Sequence, residues 1–447
     1  MPGRIILLAY YFPPLIGAAS ERASALAKAL PSLGWEPVVI APRDGFYHRT
    51  SEPEPDCDVV RTSSLELSRM LRAGYSSVVR DAGLDSGTSV HAVRTDRLGS
   101  WLRGAVREFV YVPDAQVGWI PFAVKAAVQA LRQAGDRSLI WSTSGPYSAH
   151  LAAMRAAHRL GRRWVAEFRD PWSTAHPINL PRHAMRRRLD LALERRILRT
   201  ADQVIIPTET MRHELLAAHS GLGPDRLTVV TNGFVQIPRR AVPDPSSPLT
   251  ILYAGKVEPG EEVGPLLAAL DRLQAEHPGG VLLRVLGDSA PWNEEKWASA
   301  PWLKLDGFVS PVRAREAMAE SSVLLLFQRH PANRPALQGK MFEYVGARRP
   351  ILALCPENIE AARLLRRHAD ARIVSGDPVE GTLSELRRLL REHRSGTIQA
   401  PRVTLDVTQP LRREEQAVKL AQIFDRTLAE PALNRSAPTH HRGGPGD

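Results

Sequence analysis

The sequence predicts an α/β protein of two doubly wound domains facing a central cleft. Three observations lead there. Short apolar runs alternate with segments of helical spacing along most of the chain. The alternation breaks at 236–248, where Pro238, Pro243, Pro245 and Pro248 stand among Arg, Asp and Ser, and then restarts. A chain of 447 residues also exceeds what one hydrophobic core commonly serves.

Taken in order, Ile5-Ile6-Leu7-Leu8-Ala9 has no polar position, as a parallel strand covered on both faces requires. It reads as a buried first strand rather than a signal peptide, because Pro13-Pro14 break the run and Tyr10, Tyr11 and Phe12 crowd it. Ser20 to Leu33 has helical spacing, with Ser20 as cap and Gly34 as terminator. Val38 to Ala41 is the next strand, completing a right-handed crossover unit. Residues 45–120 are less regular, with short helical patches at Leu65–Arg72 and Trp101–Tyr111. Order returns with helix Phe122–Gln133, strand Ser138–Ser142, helix Ser148–Leu160 and strand Arg163–Phe168. Helix Met185–Arg199, strand Gln203–Ile206, helix Glu209–His219 and strand Leu227–Val230 follow.

Beyond the break come strand Leu249–Ala254, helix Val263–Glu276, and strands Val281–Leu286, Leu303–Asp306 and Val323–Leu326, with helix Pro311–Glu320 before the last. Helix Gly339–Ala347, strand Ile351–Leu354, and helices Ile359–His368 and Val379–His393 complete the second half. A last amphipathic helix covers Arg412–Leu428, and the Pro/Gly/His-rich tail 431–447 predicts disorder.

Bulk properties narrow the function. A hydrophobic share of 43% and a charged share of 24% are those of an ordinary globular protein. The net charge of +11 attracts anions, but only seven of the 59 basic residues are Lys. No nucleic-acid motif or basic-aromatic platform accompanies that charge, so no nucleic-acid partner is expected. Two cysteines, Cys57 and Cys355, argue against a disulfide framework or a metal cluster and suit a reducing cytoplasm. No apolar run approaches a membrane span. Arg182, Arg186, Arg187, Arg188, Arg195, Arg196 and Arg199 share one helical region with Leu189, Leu193 and Ile197. Such a helix is either a solvated face over a buried stripe or a peripheral contact with anionic lipid at the inner membrane face.

The most informative stretch is Gly339-Lys340-Met341-Phe342-Glu343-Tyr344, followed by Pro350-Ile351-Leu352. A helix N-terminus presents N–H groups and a positive dipole end, which suits phosphate. Lys340 adds a point charge for a diphosphate, and Glu343, one turn in, can accept from sugar hydroxyls. Lys256, after an apolar strand and Gly255, reads as a second phosphate ligand, against the alternative of a solvated strand-end lysine. Gly17, with Ala18 and Ala19, permits close approach of phosphate or acceptor, or simply makes a turn. Arg169 and Asp170 end a strand before Pro171-Trp172 and serve either as a structural cap or as cleft residues touching sugar or acceptor.

Together these blocks resemble bacterial glycosyltransferases of the GT-B fold, in the large family-4-like group. Tyr10-Tyr11-Phe12-Pro13-Pro14 with Gly17 and Glu21-Arg22 looks like its opening loop. Ser142-Thr143-Ser144-Gly145-Pro146 with His150, and Glu167-Phe168-Arg169-Asp170-Pro171-Trp172, look like signatures of one clade. Asn232-Gly233-Phe234, Tyr253-Ala254-Gly255-Lys256 and Gly339 to Pro350 match in the same order. Two departures stand out. Pro335 occupies the place of a first glutamate eight positions before Glu343, and Glu258, Glu261 and Glu262 stand where a second basic residue is common.

The resemblance implies two Rossmann-like domains. Residues 1–235 take the acceptor and are rejoined by a crossover helix at 412–430; residues 249–411 take a nucleoside-diphosphate sugar of UDP, GDP, ADP or dTDP type. It places Glu343 on the ribose, Phe308 and Val309 beside the base, Ser144, Pro146, His150 and Trp172 on the acceptor side, and Asp170, Arg169 and Lys256 at the chemistry. It implies transfer with retention, the departing diphosphate taking the acceptor's proton. No Asp-x-Asp lies in the donor blocks, so no metal and no cofactor is expected. The acceptor is left open between a lipid-linked or polysaccharide intermediate and a small metabolite glycosylated on oxygen, nitrogen or sulfur. A nucleotide-sugar epimerase or hydrolase, and a non-catalytic donor-binding subunit, are the other classes such a fold can host.

Overall fold

A computed structural model describes residues 2–15, 18–43, 57–65, 110–175, 180, 183–235, 237, 244–293, 295–297, 299–333, 335–399 and 404–431. Gly17, Arg182, nearly all of the helical patches expected at 65–72 and 101–111, part of the 236–248 stretch and the tail beyond Pro431 lie outside the described residues.

The first sheet contains β1 (Gly3–Leu8), β2 (Trp35–Pro42), β3 (Asp58–Thr62), β4 (Ser138–Thr143), β5 (Arg163–Glu167), β6 (Gln203–Ile206) and β7 (Leu227–Val229). All its pairings are parallel, in the order β3-β2-β1-β4-β5-β6-β7. The second contains β8 (Leu249–Gly255), β9 (Val281–Gly287), β10 (Leu303–Gly307), β11 (Val323–Phe327), β12 (Ile351–Leu354) and β13 (Ala371–Val374), also parallel, in the order β10-β9-β8-β11-β12-β13. Central strands such as β11 and β12 are buried at every position, which is why they read as unbroken apolar runs.

Two strands escaped the sequence reading, and both are edges. Strand β3 exposes alternate residues of Asp58-Val59-Val60-Arg61-Thr62. In β13 the Arg372 side chain pairs with Glu392 and Asp370. Edge strands carry charge and half-exposed faces, so they lack the apolar run that identifies a central strand. The capping role expected of Ser20 is also corrected. The first helix begins at Ala18, which leaves Ser20 buried inside its first turn.

The helix read as basic and amphipathic runs Ala184–Thr200. Arg187, Arg188, Arg195, Arg196 and Arg199 are exposed, and so are Met185, Leu189 and Leu191. The stripe it buries is largely polar, where Leu189 and Leu193 were expected to supply it. Arg186 donates to Asp190 (2.9 Å) and to the Pro113 carbonyl (2.7 Å). Glu194 accepts from His219 (2.8 Å) and from the Ser173 hydroxyl.

The last helix, Arg413–Ala429, leaves the second half of the sequence and packs on the first sheet. Ala417, Leu420, Ala421, Ile423 and Phe424 lie in one core with Ile5, Leu7, Trp35 and Trp141. The Phe424 ring meets Trp35 at 5.7 Å and Trp141 at 5.8 Å between centroids. The chain therefore passes between the sheets twice, and the two passages touch. Phe234 bridges Arg412 in parallel register: its N–H donates to the Leu411 carbonyl (3.1 Å), and its carbonyl accepts from the Arg413 N–H (3.0 Å). Removing the Phe424 ring leaves a cavity between two tryptophans. Phe424→Ala is expected to lower stability by about 3–5 kcal/mol, read from the denaturation midpoint of the Trp35 and Trp141 environment; a change below about 1 kcal/mol would contradict this packing account.

Candidate functional site

In a doubly wound sheet, ligands bind where the strand order reverses, beyond the carboxyl ends of the strands. In the second sheet the reversal lies between β8 and β11. Strand β8 ends in Gly255, followed by Lys256, and the helix Gly339–Ala347 is the first α-helix after β11. Of the expected donor residues, Lys340 thus meets the Gly255-Lys256 strand end. Gly255 holds φ of +107°, and Gly287 at the end of β9 holds +120°. A side chain on Gly287 would strike the Gly255 carbonyl oxygen at 2.6 Å, so this rim requires glycine.

Lys340 lies across that rim. Its Nζ donates to the Lys256 carbonyl and to the Tyr253 hydroxyl, each at 2.6 Å, and stands 4.2 Å from the Tyr253 ring centroid. The Tyr253 hydroxyl donates to the same carbonyl at 2.7 Å. Burial pushes the Lys340 ammonium down to about 8, against the pull of Glu258 and Glu261. Lys256 is exposed, its side chain unencumbered at the strand end. Gln338 makes no side-chain cap at the start of the helix; its amide donates instead to the Phe327 carbonyl at 2.7 Å.

Glu261 has a structural job. Its carboxylate accepts from the N–H groups of Arg329 (2.9 Å) and His330 (3.0 Å) and from the Asn333 amide (2.9 Å). It braces the loop that leads into the Gly339–Ala347 helix, which accounts physically for an acid where a basic residue was looked for. Phe308 is 88% exposed after Gly307, an aromatic face available for stacking, while Val309 packs on the core beneath.

Glu343 is mostly buried at the junction of both halves. One carboxyl oxygen accepts from Arg413 at 3.1 Å, and the other is buried with no partner. Burial raises this carboxyl to about 7, with Arg413 opposing. Arg413 also donates to the Gly233 carbonyl (3.1 Å) and lies 3.7 Å from Glu21.

In the first sheet the reversal lies between β1 and β4. Residues 144–147 follow β4, and Arg169 and Asp170 follow β5. The acceptor-side expectations need correction here. His150 is completely buried: its Nδ1 pairs with the Ser142 hydroxyl at 2.8 Å, and burial drops the imidazole to about 3, leaving a neutral core ring. Ser144 is buried and accepts from the Arg169 N–H at 3.0 Å. Pro146 is buried, and Trp172 is nearly so, stacked on Tyr147 at 4.3 Å. All four expected acceptor-side residues are thus buried. Tyr147, inside the block but not singled out by sequence, fastens the two loops by donating to the Asp170 and Pro171 carbonyls. Asp170 itself is exposed. Among the described residues no acceptor lies within hydrogen-bond reach of the Arg169 guanidinium. Burial pushes its pKa down, opposed by Asp170 and Glu167.

Arg22 and Glu167, quoted in the sequence blocks without a role, form a buried ion pair at 2.8 Å. Arg22 also donates to the Thr231 carbonyl at 3.1 Å. Across the cleft, the carboxylate of Glu360, at the start of helix Glu360–His368, accepts from the N–H groups of Glu209 (3.0 Å) and Thr210 (2.8 Å) at the start of helix Glu209–Ala218. Among the described residues no group of three or more His, Cys, Asp or Glu could hold a metal ion, and no helix is long and apolar enough to cross a membrane.

Residues 19–235 match the family described as Glycosyltransferase Family 4. A sucrose-phosphate synthase from Thermosynechococcus elongatus superposes with a TM-score of 0.64 at 15% identity, over 96% of this chain and 99% of that one. The Anabaena protein HepE in complex with UDP and glucose gives 0.59 at 14% identity, over 95% and 99%. A glycosyltransferase from Rickettsia africae gives 0.57 at 12% identity, over 96% and 100%. No curated protein matches by sequence. The chain has the GT-B fold of these glycosyltransferases.

The buried lysine sets a pH dependence. The Lys340 charge is present below about 8 and is lost as pH rises through that value. Affinity for a nucleoside diphosphate should therefore fall above pH 8, by up to about tenfold per unit, and Lys340→Arg should flatten the fall. Unfolding cannot mimic it through this residue. The unfolded lysine holds its proton to about 10.4, so the Lys340 contribution to stability rises with pH across the same window. A pH-independent affinity between 7 and 9.5 would remove Lys340 from the anion site.

Proposed function

We propose that the chain is a glycosyltransferase that moves a sugar from a nucleoside-diphosphate donor to an acceptor with retention of configuration and without a metal ion. The observation that carries this reading is the meeting of Lys340, the Gly255-Lys256 strand end and an N-terminus without a side-chain cap at the reversal point of the second sheet. Helix dipole, lysine charge and a glycine rim are what a diphosphate needs. The UDP and glucose held by a protein of like fold support the donor class.

In this reading Lys256, Lys340 and the first turn of Gly339–Ala347 hold the diphosphate. Glu343 takes the ribose hydroxyls, and Phe308 and Val309 flank the base. Arg169 and Asp170 face the sugar and acceptor from the opposite sheet. As the bond from the anomeric carbon to the phosphate oxygen breaks, its electron pair leaves with the diphosphate. The acceptor heteroatom bonds to the same face of that carbon, and the freed phosphate oxygen takes its proton. Stabilising the charge that develops on the diphosphate then supplies most of the acceleration.

Lys256→Ala should lower donor kcat/KM by about tenfold or more, the scale of one charge-assisted contact. Activity should survive chelation by EDTA. Donor turnover that yields an isomerised sugar nucleotide with no acceptor, or activity abolished by EDTA and restored by magnesium, would overturn the reading. The exposed arginines of Ala184–Thr200, beside exposed Met185, Leu189 and Leu191, favour peripheral contact with anionic lipid. Co-sedimentation with phosphatidylglycerol vesicles should fall with salt and with joint Arg187→Gln, Arg188→Gln and Arg195→Gln substitution; indifference to both would exclude it.

A further inference from the structure

We infer that Arg413, in the helix that returns from the second domain, is the positioning residue that keeps Glu343 oriented and charged for the donor's ribose. The inference rests on the assignment of Glu343 to the ribose, and goes beyond it by placing control of that carboxylate in the hinge.

The geometry is specific. Arg413 is fixed at three points: its N–H to the Phe234 carbonyl, its Nε to the Gly233 carbonyl, and its Nη2 to one oxygen of Glu343. Both side chains are about seven-eighths buried. The guanidinium therefore cannot swing away without giving up its bond to the Gly233 carbonyl. Its single bond to the carboxylate leaves the second oxygen buried and unpartnered. A buried acceptor without a donor is unfavourable, and a ligand hydroxyl can satisfy it. Gly346 adds to the constraint. A side chain there would strike the Phe234 ring at 2.4 Å, so the helix carrying Glu343 lies directly against the chain passage that holds Arg413.

Three charged groups face the Glu343 carboxyl. Arg413 comes from the returning helix, Arg315 from helix Pro311–Glu320, and Glu21 from the first helix of the chain. The two arginines favour the anion, and Glu21 opposes it. Burial already lifts Glu343 toward neutrality. Without Arg413 the carboxyl would be protonated at neutral pH and would lose one of the acceptor sites that a pair of vicinal hydroxyls requires.

The test is calorimetric titration of the full chain with UDP, GDP and ADP and their 2′,3′-dideoxy counterparts, across pH 5.5 to 8.5. Wild type should prefer the ribose form of the nucleotide that binds by about tenfold or more. Glu343→Ala should abolish that preference at every pH; in wild type it should weaken as pH falls below about 7, and Arg413→Gln should move that loss to higher pH. The Glu343→Ala, Arg413→Gln double variant should discriminate no worse than Glu343→Ala alone. Arg413→Lys, which keeps the charge, should retain part of the preference and guards against misfolding of the Gln variant. A ribose preference lost in Glu343→Ala but intact at every pH in Arg413→Gln would overturn the inference and leave the Glu343 assignment standing. A wild type with no ribose preference, or no binding of any of the three, would sink the assignment and the inference with it.

Discussion

The two passages of chain between the sheets are fastened together at the bridge between Phe234 and Arg412. Two passages of chain, far apart in sequence, run side by side there and exchange backbone hydrogen bonds. A single linker would let the sheets rotate freely; two fastened together define an axis. The bridge is packed so tightly that glycine is required beside it. A side chain on Gly233 would strike the Leu411 carbonyl at 2.8 Å, and one on Gly346 would strike the Phe234 ring. The axis is also tied into each half of the chain by an arginine. Arg22 ties the Thr231 carbonyl to Glu167 at the end of β5, and Arg413 ties the Gly233 carbonyl to Glu343.

The sequence was most legible where a residue's environment is uniform along its element. Central strands buried on both faces favour apolar residues, so β1, β8, β11 and β12 could be read as runs. Strands β3 and β13 have one protected neighbour each and mix charge with apolar residues, so they blended into the surrounding loops. The site divides in the same way. Gly255, Lys256, Lys340 and Glu343 lie near the ends of regular elements, where local spacing predicts position. Nothing local reveals that Arg413 reaches across 70 positions to Glu343, because that contact exists only once both chain passages are in place.

Short blocks of sequence also mixed working surfaces with their supports. Ser144, Pro146, His150 and Trp172 stand within the quoted blocks, yet all four sit beneath the surface. His150 shares the Ser142 hydroxyl with the Trp164 indole, which donates to it at 2.8 Å. A chain of that kind fixes the loop above it. Asp170 is the member left exposed, and the absence of an acceptor for the Arg169 guanidinium among the described residues sets Arg169 apart from the supports.

Glu360 carries a further consequence. Helices that follow parallel strands start at the carboxyl ends, so the two halves turn the positive ends of helices Glu209–Ala218 and Glu360–His368 toward each other. Like poles repel, and one carboxylate placed between them converts the repulsion into attraction. Separating the halves strips that carboxylate of charge-assisted bonds worth roughly 1.5–3 kcal/mol, and so favours the joined arrangement by about ten- to a hundredfold. The two halves are thereby fastened at a second point besides the paired chain passages.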